Sequence, residues 1–80
     1  MGARAQHTPA YRRLCELLRS WRADAELTQR ELAILLKRPP SYVHKTEVGE
    51  RRIDPVELVR WCRACQIKTT VAITQLESQV

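Results

Sequence analysis

Apolar residues recur along this chain at helical spacing, and no segment alternates apolar and polar for long. Tyr11, Leu14, Leu18, Trp21 and Ala25 make one stripe, with Arg12, Arg13, Arg19 and Arg22 between them. Thr8-Pro9 ahead of the stripe reads as an N-cap with proline at the first helical position, where its missing N–H costs nothing. Thr28-Gln29-Arg30-Glu31 is a capping box, in which hydroxyl and carboxylate each accept from a backbone N–H that a helix start leaves unpaired. It opens a short helix carrying Leu32, Ala33, Leu35 and Leu36, which Lys37-Arg38-Pro39-Pro40 must end. Pro40 begins a third helix, Ser41 to Glu47, closing near Gly49. Asp54-Pro55-Val56-Glu57 starts a fourth, with Leu58, Trp61, Cys62 and Cys65 at i, i+3, i+4 and i+7. A fifth starts at Thr69 or Thr70, with Ala72, Ile73, Leu76 and Val80 expected on its buried side. The pattern predicts an all-α bundle: one domain over residues 8–80, with residues 1–7 expected to be disordered.

The second and third predicted helices are joined by about four residues, the length of a helix-turn-helix. At 100° per residue, Val43, Thr46 and Glu47 face one side of the third helix. Ser41, His44, Lys45 and Val48 face the other. That second set is short, polar and partly cationic, which suits a major groove. Lys45 donates to guanine or phosphate, Ser41 to either, and His44 to a base acceptor. Tyr42 is placed on the flank, within reach of phosphate or a thymine methyl. Gln29 and the start of its helix offer donors to a phosphate, and Arg51 and Arg52 offer a clamp further along.

Composition strengthens this reading. The 80 residues carry a net charge of +5, divided as +2 over residues 1–26, +3 over 27–53 and 0 over 54–80. The excess falls on the segment expected to meet an anionic partner. No run approaches the roughly 18 apolar residues of a membrane span, and the first residues hold no secretory h-region. Three cysteines, an odd number, fit a reducing compartment. A cytoplasmic protein is therefore expected. Cys62 and Cys65 have metal-site spacing, but only Cys15, His7 and His44 could complete a zinc set. Core packing is the expected role of these thiols, with redox sensing the alternative and no metal or other cofactor anticipated. No nucleophile–base constellation, phosphate-cradling glycine loop or carboxylate pair suggests an enzyme.

The stretch Leu27-Thr28-Gln29-Arg30-Glu31-Leu32-Ala33, with Pro39 to Arg52, resembles the Cro/repressor-type (XRE, lambda-repressor-like) helix-turn-helix family. The resemblance runs without gaps from about Leu18 to Ile67. It implies a compact five-helix domain that binds operator DNA, usually as a homodimer. By position, Gln29 falls on a phosphate-contacting residue, and Pro40, Ser41, His44 and Lys45 fall on recognition positions. Arg22 and Glu47 match a pair that often forms a buried salt bridge. Family members usually place glycine where Glu26, Lys37 and Gln66 stand, an apolar residue where Arg38 and Thr46 stand, and a polar reader where Pro40 stands. The expected homodimer seam is the apolar side of residues 69–80, at Leu76 and Val80. A protein-interaction module on the same fold, antitoxin-like or otherwise, is the competing function, which leaves room for an unidentified protein partner.

Overall fold

A computed structural model describes residues 8–80, so the expectations for residues 1–7 lie outside the described residues. The helices are α1 (Pro9–Asp24), α2 (Gln29–Leu36), α3 (Pro40–Glu47), α4 (Pro55–Ala64) and α5 (Thr69–Gln79). The described residues contain no strand. The capping residues set most starts. Thr8 Oγ1 accepts from the Tyr11 N–H at 3.1 Å. At α2, Thr28 Oγ1 accepts from the Glu31 N–H at 3.0 Å, and Glu31 Oε1 accepts from the Thr28 N–H at 2.8 Å. Asp54 and Glu57 repeat the exchange at α4, at 2.8 and 3.0 Å. Each cap contributes about 1 kcal/mol. By contrast α3 and α5 begin without a side-chain cap, α3 relying on Pro40 at its first position.

Four helices end by one device. Glu26, Lys37, Gly49 and Gln66 take positive φ of 60°, 57°, 83° and 59° after α1, α2, α3 and α4. At each, its own N–H and that of the next residue turn back to the helix being closed; after α1, Glu26 N–H reaches Ala23 O at 2.9 Å and Leu27 N–H reaches Arg22 O at 3.2 Å. Only one of the four is glycine. A side chain at such an angle crowds the backbone and costs about 1 kcal/mol. The three positions are the ones where the family resemblance leads one to expect glycine; the left-handed geometry is kept and the residue strained.

The core is built where the stripes meet. Leu18, Leu32, Val43, Trp61, Cys62 and Ala72 are fully buried, with Trp21 and Cys65 beside them. Two tryptophans also pin helices by hydrogen bonds: Trp61 Nε1 donates to Leu18 O at 3.1 Å and Trp21 Nε1 to Gln75 Oε1 at 2.7 Å. The second bond fixes the rotation of α5 and corrects one expectation. Ala72 is buried and Leu76 half-buried, but Ile73 and Val80 are exposed. Ala72 and Leu76 pack inward with Gln75, itself exposed, bonded to α1 at their edge, and Ile73 lies about 100° away from Ala72.

All three cysteines are free and buried. Burial pushes each thiol up, that of Cys65 to about 11. Reactive cysteines are shifted the other way, so the thiols act as small core residues. Among the described residues no His/Cys/Asp/Glu cluster could hold a metal ion, and no helix is long and apolar enough to cross a membrane.

Candidate nucleic-acid interface

The orientation of α3 is decided by its inner side. Tyr42, Val43, Thr46 and Glu47 are buried, and Pro40, Ser41, His44, Lys45 and Val48 are exposed. Glu47 supplies the strongest tether. Its Oε2 accepts from Arg22 Nε at 2.6 Å and its Oε1 from Arg22 Nη2 at 3.0 Å. Arg22 uses its remaining nitrogen, Nη1, to donate to Leu27 O at 2.9 Å. The Glu47 bond, first among the causes, raises the guanidinium above its usual range. One ion pair thus fixes α1, the turn after it and α3.

The same carboxylate reaches α2. Gln29 Nε2 donates to Glu47 Oε1 at 3.0 Å, which orients Gln29 at the first position of α2. Gln29, His44, Glu47 and Val48 line one depression of about 390 Å³ together with Arg19 and Arg22. The start of α2 and the outer edge of α3 therefore form one continuous surface. Its first-turn N–H groups at Gln29 and Arg30 have no partner within the helix. Arg19, exposed on α1, is the member that sequence reasoning passed over. Its spacing of three residues before Arg22 was the available signal, because the two share a helix face.

Three expected contact residues are placed differently. Tyr42 is withdrawn into the core, its ring 6.5 Å from that of Trp61. It stands four residues before Thr46, on the inner side of α3, and Arg38 and Arg51 cover it with guanidinium carbons 4.8 and 4.6 Å from the ring centre. Arg51 is committed to Glu57 by a forked pair, Nη1 to Oε1 at 3.0 Å and Nη2 to Oε2 at 2.7 Å. That pair lowers the Glu57 carboxyl and raises Arg51. Arg52 lies over the Tyr11 ring at 4.5 Å and lines a depression with Leu76 and Val80 instead of extending the α3 surface. The contacts with Glu57 and Tyr11 come from outside α3, where a helical wheel of α3 holds no information.

A helix-turn-helix domain family matches residues 13–72. A solved XRE-family like protein from Pseudomonas syringae pv. tomato str. DC3000 is 38% identical, with a TM-score of 0.85 over 96% of this chain and 94% of that chain. The chain belongs to the XRE-type helix-turn-helix family. No curated protein matches it. Within the XRE-type arrangement, α2 and α3 are the helix-turn-helix pair, with Lys37 to Pro39 as the turn. The coarse functional class that membership suggests is a DNA-binding regulator.

Proposed function

We propose that the chain is a sequence-specific regulator of transcription, of the small repressor or controller type, that reads double-stranded DNA with α3 in the major groove. The observation that carries this is the outer edge of α3. Ser41, His44 and Lys45 are exposed on a helix whose inner side is fixed by Glu47 to α1 and α2. Such an edge presents short donors on a rigid element. Gln29, held by Glu47, and Arg19 beside it meet phosphate; Ser41, His44 and Lys45 meet base edges or phosphate, with Pro40 packed against the groove wall. Phosphate contacts supply affinity and base contacts discrimination.

One α3 covers about half an operator, so the protein acts as a homodimer with two reading helices about 34 Å apart. Leu76 and Val80 form the seam, beside Tyr11 and Leu14. This role is exercised in the cytoplasm of a bacterial or phage-infected cell. Selection of bound sequences from random duplex DNA tests the reading, with a palindromic motif expected. On the selected site, Lys45→Ala is expected to weaken binding and to reduce the slope of log affinity against log salt by about 1. No enriched motif, together with a salt-independent affinity, would overturn the proposal.

A further inference from the structure

A second surface lies away from the outer edge of α3. A groove of about 590 Å³ runs between the C-terminal end of α2 and α4. Leu35, Leu36 and Ala64 supply its apolar part, and Lys37, Arg38, Arg60 and Arg63 its charged part. Every charged residue lining it is a cation. Among the described residues, Lys37, Arg60 and Arg63 have no carboxylate within ion-pair distance. Arg38 has only the Glu57 carboxylate at 3.7 Å, which Arg51 already holds at 2.7 Å. Leu35 is 55% exposed.

Four cations around an apolar strip repel one another and gain from an anionic occupant. The strip narrows the choice of occupant. A phosphate backbone would meet the cations but leave Leu35 and Leu36 uncovered. A peptide carrying both carboxylates and apolar side chains satisfies both. The chain's own residues 1–7 contain Arg4 and no acid, the wrong sign. A second copy carries the same +5.

We infer that the α2–α4 groove is a docking surface for an acidic amphipathic segment of a partner protein. Apolar side chains of the segment seat on Leu35, Leu36 and Ala64, as in helix-in-groove recognition. Its carboxylates pair with Arg60 and Arg63 on α4 and with Lys37 and Arg38 at the end of α2.

The test uses the full chain and a fluorescein-labelled 16-residue peptide with leucine on one helical face and glutamate on the other. A polyglutamate peptide of equal charge and a random-sequence DNA duplex are the comparators, read by fluorescence anisotropy. The amphipathic peptide is expected to bind at least tenfold more tightly than polyglutamate. The double variant R60E/R63E is expected to weaken peptide binding at least tenfold and L35Q at least threefold, with duplex binding weakened by a clearly smaller factor in R60E/R63E, from the change in net charge alone, and unchanged in L35Q. The altered side chains are exposed, and thermal melts check that each variant is folded; if R60E/R63E is not, R63A and L35Q carry the same reading. Equal affinity for the two peptides, or insensitivity to the groove variants, overturns the inference. So does a loss of duplex binding equal to the loss of peptide binding, which would assign the groove to phosphate.

Discussion

Glu47 and Glu57 are both buried carboxylates that hold a forked arginine, one at the end of α3 and one beyond it. Glu47 joins three helices, and its side chain and that of Arg22 are 2% and 14% exposed. Glu57 closes the loop after α3 onto α4 and caps α4 as well; its arginine partner is 37% exposed. The bond lengths are similar, at 2.6 and 2.7 Å for the shortest contact in each pair. What differs is water. Arg51 can turn to solvent when its partner is lost, whereas Arg22 is enclosed by the helices that it connects. Equal geometry therefore implies unequal energetics, and the interior pair governs the placement of the proposed reading helix.

The sharpest way to break that distinction is Glu47→Gln. It strands the Arg22 charge and is expected to cost about 3–5 kcal/mol, measured by chemical denaturation. A loss below about 1 kcal/mol would show that Arg22 reaches water freely. Glu57→Gln is expected to cost less, about 1–2 kcal/mol. Its signature is also in the pH dependence. Arg51 holds the folded Glu57 carboxyl below its ordinary value of 4.5. The stability that it contributes is complete above that value and is lost as pH falls through the lower folded one. Unfolding free energies between about pH 5 and pH 2 should fall less steeply in the variant; an unchanged slope would place the acid sensitivity elsewhere. Thr46 offers the smallest effect. Its hydroxyl donates to Tyr42 O at 2.6 Å, within its own helix. Since that carbonyl is already inside the α3 ladder, Thr46→Val is expected to change stability by less than about 1 kcal/mol. A larger loss would make this local bond a third anchor beside the two carboxylates.

The caps and apolar stripes were legible because they are local. Thr8, the Thr28–Glu31 and Asp54–Glu57 boxes, and the inward turn of Val43, Thr46 and Glu47 all depend on residues within one helical turn. Less was legible where distant partners decide the outcome. Ile73 looked like part of the buried stripe until the bond between Trp21 and Gln75 turned α5. Arg51 and Arg52 read along the chain as a pair beyond α3, and their contacts with Glu57 and Tyr11 come from residues too distant in sequence for spacing to indicate. Tyr42 was a missed local signal, since a wheel already puts it four residues from Thr46 and on the same side. Gln29 was legible as a donor, yet nothing in its neighbourhood along the chain indicated that Glu47 would hold it.

The helix exits have a practical meaning. Glycine already closes α3 without strain, and Glu26 and Gln66 adopt the same turn with a side chain in the way. Replacing each with glycine should return about 1 kcal/mol, and for a domain of this size each such gain raises the melting temperature by about 4–8 °C. Lys37 offers the same relief, but its side chain lines the α2–α4 groove, so there heat tolerance and peptide docking compete. A hardened version of this scaffold, for work at high temperature, would begin with the exits of α1 and α4 and leave that of α2 as it is.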